Sequence, residues 1–311
     1  MRIVVTGREG QLARCLQAVG AEHNVDIIRL GRPETDFSWP ARIIPALSAT
    51  KADLIINAAA YTAVDRAESE IPLAHTVNSV SAGIIAKGAE WLGIPVIHLS
   101  TDYVFDGTAG RPYCEDDSVH PLTVYGISKH EGELRVAAAN PRHVICRTSW
   151  VYSPYGQNFV KTMLRLADER DEVGVVSDQR GCPTYGLDLA RTLLQIAHRV
   201  VHEKAVDSPL FGVFHVAGGG EATWADVAEA VFEASASRGG PSAHVRRIGT
   251  KDYPTPAQRP ADSRLDTTRL RETYGIAMPD WRSSLDHCVA VLLSAQTDHE
   301  AHSINLSDGA E

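Results

Sequence analysis

The stretch Arg2-Ile3-Val4-Val5-Thr6-Gly7-Arg8-Glu9-Gly10-Gln11-Leu12-Ala13 decides the fold. Its first four residues read as a buried parallel strand, and the glycines then turn the chain into a helix that continues through Leu16 and Val19. Glycines at a strand-to-helix turn let backbone N–H groups and the positive end of the helix approach a pyrophosphate. The spacing here is Gly-x-x-Gly-x-x-Ala rather than the commoner Gly-x-Gly-x-x-Gly. Such turns also occur as plain punctuation; what gives this one weight is its place directly after the first strand.

Further apolar runs follow at Val25 to Ile28, Ala52 to Asn57, Pro95 to Leu99 and Arg142 to Arg147. Helical segments lie between them, notably Ala74 to Leu92 with a core stripe of Val77, Ile84, Ile85 and Trp91. Alternating strand and helix units predict an α/β fold, a Rossmann-like doubly wound parallel sheet whose ligands bind at the carboxyl ends of its strands. That rule brings the glycine loop, Ala60, Thr101 and Tyr125 to one cleft.

The chemistry is carried by Ser100-Thr101-Asp102-Tyr103-Val104-Phe105-Asp106-Gly107 and by Tyr125-Gly126-Ile127-Ser128-Lys129. Residues four apart on a helix have Cβ atoms roughly 5–6 Å from each other, so the Lys129 ammonium is expected beside the Tyr125 phenol. A free tyrosine titrates near pH ~10, and an adjacent cation favours the phenolate. Tyr125 is thus a candidate acid for an alkoxide as it forms, with the Thr101 hydroxyl bonding the same oxygen. Taken alone, a Tyr-x-x-x-Lys pair is as readily a solvated surface contact.

Composition agrees with a soluble enzyme. The chain of 311 residues has room for one large or two coupled domains. A net charge of −9 with scattered basic residues leaves no footprint for nucleic acid. No apolar run reaches the ~18 residues that span a bilayer, and Met1 leads straight into the first strand, so no membrane contact and a cytoplasmic location are expected. Cys15, Cys114, Cys146, Cys182 and Cys288 form no Cys-x-x-Cys pair, which suits reduced thiols.

The second half changes character. Strand-like Leu210 to Val216 leads through Gly218-Gly219-Gly220 into a helix beginning near Thr223, and a Pro-rich run spans Tyr253 to Pro260. Pro279-Asp280-Trp281-Arg282 then opens a helix to about Leu293. The expected organisation is a nucleotide-binding domain over 1–150, a mainly substrate-binding lobe with interleaved Rossmann elements over 151–294, and a flexible tail over 295–311.

Taken together these segments resemble the extended short-chain dehydrogenase/reductase family. The resemblance runs through Thr6 to Leu12, Asn57 to Glu68, 100–107, the Tyr125/Lys129 pair, Arg147 to Tyr152, Asn158 to Met163, Asp178-Gln179 with Pro183-Thr184, and Tyr253 to Pro260, about residues 1–290 in all. Asn57 to Glu68 and 253–260 are the discriminating parts, because distant relatives share only the glycine loop and the Tyr/Lys pair. The implied activity is reduction of the 4-keto group of dTDP-4-dehydro-6-deoxy-L-mannose to dTDP-L-rhamnose, a dTDP-sugar substrate. Thr101, Tyr125 and Lys129 are then the catalytic set, with Lys129 lowering the Tyr125 pKa and bonding the nicotinamide ribose.

Gly7, Gly10, Gln11 and Leu12 would hold the cofactor diphosphate. Asp36 and Phe37 resemble the adenine side, and Ala60, Tyr61 and Thr62 the loop under the nicotinamide ribose. The second strand ends in Arg29-Leu30-Gly31-Arg32, without the acidic residue that selects a ribose hydroxyl. Arg32 could meet a 2′-phosphate or be a solvated loop residue. NADPH is therefore favoured, and the resemblance implies that NADH also serves.

On the substrate side the resemblance implies Thr101, Asp102, Trp150, Asn158 and Arg259. Asp102 would accept sugar hydroxyls, Trp150 would pack on the sugar face or belong to the core, and Arg259 would fork onto the diphosphate. Related bacterial enzymes dimerise around a magnesium ion held by glutamates, but the corresponding positions here read Cys15 and Leu187-Asp188. A thiol and an aliphatic chain are poor magnesium ligands, so no metal is expected, and a homodimer would have to form without that bridge. Two rivals stay open: another sugar-nucleotide epimerase, dehydratase or reductase, and a nonenzymatic regulatory subunit like the beta subunit of methionine adenosyltransferase. Dehydratases need an acid after the Thr-Asp pair, where this chain has Tyr103.

Overall fold

The computed structural model describes residues 1–307, with side chains as far as Ala295. Its centre is a six-stranded parallel sheet formed by β1 (Arg2–Thr6), β2 (Asp26–Leu30), β3 (Leu54–Asn57), β4 (Val96–Thr101), β5 (His143–Thr148) and a last strand, Gly212–His215. The spatial order is Gly212–His215, β5, β4, β3, β1, β2. Successive strands therefore run one way from β1 to β2 and the other way from β1 to β3. That reversal opens a crevice at the carboxyl end of β1.

The strands are continuous apolar runs because both faces are covered. Alternate residues serve opposite faces. Ile3, Val5, Ile56, Ile97 and Val144 pack under the helices Gln11–Glu22 and Gly186–Val200, whose Leu16, Val19, Leu189 and Leu193 are buried there. Val4, Ile55, Val96 and Ile145 face the other way, against Ile43 and Leu47 of Ile43–Ser48, Ile85 of Ser81–Trp91 and Val136 of Val124–Ala139.

Trp91 departs from the expected stripe. It is 65% exposed, at the last residue of its helix and past the face that covers the sheet, with the Lys87 ammonium over its ring. Val77 and Ile84 pack only partly against the core. The same helical run carries a π turn at Thr76–Val80.

A second apolar cluster lies beyond the sheet. Tyr152, Val160, Met163, Val173, Val231, Phe232, Trp281 and Leu285 join the helices Phe159–Glu169, Trp224–Ala236 and the start of Trp281–Ser307 to the parallel pair Glu172–Val176 and His244–Ile248. Thr223 caps the second of these helices, its hydroxyl accepting from Asp226 N–H while the Asp226 carboxylate accepts from Thr223 N–H. The last helix runs on to Ser307, past the Leu293 at which its sequence pattern ends. The side chains of the expected tail beyond Ala295, and residues 308–311 altogether, lie outside what is described. Among the described residues no helix is long and apolar enough to cross a membrane.

Candidate active site

β4 delivers Thr101 and Asp102 to the carboxyl edge of the sheet, and the helix Val124–Ala139 brings Tyr125 and Lys129 against them. The helix begins where it does because Thr123 caps it, accepting Gly126 N–H at 3.0 Å, while Glu68 accepts Val124 N–H at 2.9 Å. Gly126 is required by proximity, since a Cβ there would lie 2.2 Å from the Tyr103 carbonyl oxygen. The Tyr125 ring meets Tyr103 edge-on at 5.8 Å.

Burial pushes the Tyr125 phenol up to about 12, the neighbouring Thr101 hydroxyl pulls it down, and the Asp102 charge pushes it up again. Lys129, expected to lower it, is not among these influences. The buried Lys129 ammonium turns to the end of β4 and donates to the Leu99 carbonyl at 2.5 Å. Desolvation brings it down to about 8, opposed by the charge of Glu133 one turn further along. Burial alone would raise the Glu133 carboxyl. Arg147, donating at 2.9 and 2.8 Å, and His130 instead hold it at about 2.

The glycine loop sits across this edge. Gly7 has φ +88°, its N–H donates to the Leu30 carbonyl at 2.9 Å, and Gly10 N–H returns to the Gly7 carbonyl at 2.8 Å. A Cβ on Gly7 would come within 3.1 Å of Ala59 Cα, so only glycine allows the loop to close on the segment after β3. Gly10 caps Gln11–Glu22 without a side-chain bond, leaving first-turn N–H groups and the positive helix end open at the crevice, with Leu12 half-buried behind them. This cradle suits a dinucleotide diphosphate. Gln11 is turned away from it, accepting from Ser153 at 2.9 Å and from Asn158 at 3.0 Å.

At the end of β2, Arg32 is exposed. Asp36 is held below the usual carboxylate range by the N–H and hydroxyl of Ser38, and Phe37 lies in the apolar core with its carbonyl accepting from Ser81. Two residues that the sequence reading passed over meet here. Arg8 of the glycine loop pairs with Glu34 at 2.6 Å, and Arg29 donates to the Arg8 carbonyl at 2.8 Å. A third is Asn78, on the π turn. Its amide brackets Tyr61, accepting from its N–H at 2.8 Å and donating to its carbonyl at 3.1 Å, and also donates to Ser128 at 3.0 Å. Asn78 thus ties the Ala60-Tyr61-Thr62 loop to the helix of Tyr125. Its signal in the sequence is only a polar residue inside an apolar helical run.

The substrate-side residues separate. Arg259 donates to Asp65 at 2.8 Å through Nη2, and its buried Nη1 has no partner among the described residues. Asn158 caps Phe159–Glu169 and donates to the Ser153 carbonyl at 2.7 Å, so it holds a loop rather than an open surface. Trp150, at φ +47°, stacks on Trp224 with centroids 3.6 Å apart, and Gly181 lies so close behind that a Cβ there would be 2.4 Å from the Trp150 ring. The ring is partly buried and borders a cavity of about 80 Å³ with Phe159, Pro183 and Trp224.

Asp102 is buried, taking a bond from Thr101 on one oxygen at 3.0 Å and from Ser149 on the other at 3.1 Å. Among the described residues no cluster of three or more His, Cys, Asp or Glu could hold a metal. Cys15 is buried, and Asp188 accepts from Ser284 at 2.5 Å and Arg191 at 3.2 Å.

Comparison with known proteins places this geometry. The family model described as RmlD substrate binding domain matches residues 1–294. The chain is 49% identical over 293 residues to the dTDP-4-dehydrorhamnose reductase of Sinorhizobium fredii, covering 94% of this chain and 98% of that one. Among solved structures, a dTDP-4-dehydrorhamnose reductase from Clostridium acetobutylicum superposes with TM-score 0.87 at 35% identity, covering 94% of this chain and all of its own. The enzyme of that name from Bacillus anthracis, solved in complex with NADP, gives TM-score 0.85 at 33% identity, covering 92% and 98%.

Proposed function

The chain belongs to the RmlD substrate binding domain family, and on that premise we propose that it reduces the 4-keto group of dTDP-4-dehydro-6-deoxy-L-mannose to dTDP-L-rhamnose, using NADPH or NADH. One observation carries the assignment of roles: the half-buried Tyr125 stands on the helix that packs against the end of β4, beside Thr101 and across from the glycine cradle. The dinucleotide, when bound, supplies the hydride for the carbonyl carbon. Gly7, Gly10 and the open helix end hold its diphosphate, and Ala60, Tyr61 and Thr62, braced by Asn78, line the approach to Tyr125.

Tyr125 then gives its proton to the oxygen of the reduced carbonyl. A phenol near 12 keeps its proton in neutral water but yields it to an alkoxide, a far stronger base. Lys129, whose ammonium donates to the Leu99 carbonyl at the end of β4, would reach the nicotinamide ribose from there, and Arg259 offers its unpartnered nitrogen to the diphosphate of the sugar nucleotide. Residues 1–150, with the returning Gly186–Val200 and Gly212–His215, serve as the nucleotide-binding part, and the second apolar cluster serves as the substrate lobe. We place the enzyme in the cytoplasm, with any homodimer formed without a metal bridge.

The deciding experiment follows NADPH oxidation with the dTDP-4-keto-L-sugar. Robust turnover is expected. It should fall ~10²–10⁴-fold in Tyr125→Phe, which removes one hydroxyl and keeps the ring, while NADPH binding persists. Binding of NADPH without turnover in the unsubstituted protein would favour a regulatory role, and near-normal turnover in Tyr125→Phe would move the acid elsewhere.

A further inference from the structure

Gln11 faces two ways. Its backbone belongs to the dinucleotide side: it is the first residue of the helix after Gly10, whose cap has no side-chain bond, so its N–H is one of the open first-turn groups. Its side chain belongs to the other lobe. Oε1 accepts the Ser153 hydroxyl at 2.9 Å and the Asn158 amide at 3.0 Å, 142 and 147 residues further along the chain.

The direction of these bonds is fixed. Asn158 Oδ1 accepts Lys161 N–H at 3.2 Å as the cap of Phe159–Glu169, so the NH2 group of Asn158 is the part turned to Gln11, and it also donates to the Ser153 carbonyl at 2.7 Å. An amide NH2 can only donate, and Gln11 must therefore present its carbonyl oxygen. Ser153 is wholly buried. Gly156, at φ +64°, brings the loop onto the Gln11 stem, where a Cβ would lie 3.0 Å from Gln11 Cγ. One turn along the same helix, the Arg14 guanidinium covers the Tyr155 ring at 4.9 Å.

The loop leads straight to the substrate lobe. Asn158 is followed by Phe159, whose ring meets Trp224 at 4.7 Å, and both border the cavity that Trp150 also lines. Three contacts thus join the diphosphate end of the first helix to the aromatic wall: Gln11 to Asn158, the capped helix start to Phe159, and Phe159 to Trp224.

We infer that Gln11 is a positioning residue that couples the two ligands: a dinucleotide diphosphate on the helix start fixes Gln11, and Gln11 fixes the loop 153–158 and the Phe159 wall for the sugar nucleotide. This rests on the reductase reading above. The Gln11 amide itself touches neither ligand. Whichever ligand arrives first orders the contact, and the second binds to a crevice already arranged, which makes binding positively cooperative.

The test measures NADPH binding by nicotinamide fluorescence with and without saturating dTDP-L-rhamnose, which cannot react with the reduced cofactor. The unsubstituted protein should bind NADPH about 5–10-fold tighter with the sugar nucleotide present, and dTDP-L-rhamnose should gain by the same factor from NADPH, because coupling is reciprocal. Gln11→Met keeps the chain length and the backbone N–H and loses the acceptor. Its coupling should fall to within about twofold of none, as loss of two ordinary hydrogen bonds allows. Ser153→Ala removes one of the two bonds from the other side and should leave about two- to threefold coupling. A merely structural contact would lower the unfolding midpoint in these variants and leave the coupling factor where it was.

Coupling that is absent from the unsubstituted protein, or that survives both substitutions, would overturn the inference. So would loss of NADPH binding in Gln11→Met with full coupling kept in Ser153→Ala, which would return the amide to the diphosphate. Should Gln11→Met fail to fold, Ser153→Ala decides alone. In each case NADPH oxidation with the dTDP-4-keto-L-sugar leaves the reductase reading standing. An unsubstituted protein that neither binds dTDP-L-rhamnose nor turns over the keto-sugar would overturn both.

Discussion

Arg259 Nη2 donates to Asp65 Oδ2 at 2.8 Å across 194 residues of chain. The same carboxylate accepts Ala257 N–H at 3.2 Å through its other oxygen. The Pro-rich run of the second half is thereby fastened over the loop that follows β3, beside Tyr103, whose phenol feels both charges. One side of the guanidinium is fixed and the other, Nη1, is buried without an acceptor among the described residues. A buried donor left unpaired is costly, and a diphosphate oxygen would satisfy it. Arg259→Lys keeps the charge and loses the fork. It should raise KM for the sugar nucleotide about 10–100-fold with kcat little changed, and Asp65→Asn should act in the same direction more weakly. Unchanged KM in Arg259→Lys would mean that this nitrogen does not meet the substrate.

Cofactor preference has two arginines to test. Arg32 is exposed, whereas Arg8 is drawn to Glu34 at 2.6 Å and packs so closely on Gly31 that a Cβ there would lie 2.6 Å from Arg8 Cβ. Only NADPH carries the 2′-phosphate. Arg8→Ala and Arg32→Ala should each weaken NADPH binding several-fold more than NADH binding, as befits half-exposed charge contacts, and Glu34→Gln should free Arg8 and favour NADPH. Dissociation constants from nicotinamide fluorescence titrations would decide it. Equal losses for both cofactors would leave that arginine pointing to solvent.

How far the sequence carries can be judged residue by residue. The sheet, the glycine turn and the ends of β4 and the Tyr125 helix are legible because each is written in one contiguous pattern of apolar period, glycine and cap. Contacts between distant segments are not. Trp150 is paired with Trp224 and backed by Gly181 only after the second lobe folds. The direction of Lys129 depends on the Leu99 carbonyl at the end of β4, which helical spacing does not contain. Asn78 and Glu34 carry no motif at all, and their roles come from which loops the topology brings to them.

The Glu133–Arg147 pair, 4% and 5% exposed on its side chains, makes acid stability a local matter. Glu133 sits at about 2 in the folded protein against an ordinary value near ~4.3. Its folded value is depressed, so its stabilising contribution is complete above ~4.3 and is lost as pH falls toward 2. Glu133→Gln strands a buried guanidinium and should cost about 3–5 kcal/mol at neutral pH. The gap between the two proteins should then narrow between pH 5 and pH 3. Urea unfolding at several pH values measures it. Parallel curves would mean that Arg147 relaxes to another partner.

Chelation is the remaining test, and it concerns assembly as well as catalysis. Hydride transfer followed by proton delivery from Tyr125 needs no Lewis acid, and Cys15 and Leu187 offer no hard oxygen to a magnesium ion. Asp188, the next residue in sequence, is already engaged by Ser284 and Arg191. Cys15 is buried and its thiol pushed up to about 12 by desolvation, so it does not supply a thiolate. Protein treated with chelator and freed of it should therefore keep full NADPH-dependent reduction and an unchanged size-exclusion mass. Should activity or mass fall and added magnesium restore it, Asp188 would have to exchange its Ser284 and Arg191 bonds for the ion, and Asp188→Asn would then abolish the recovery.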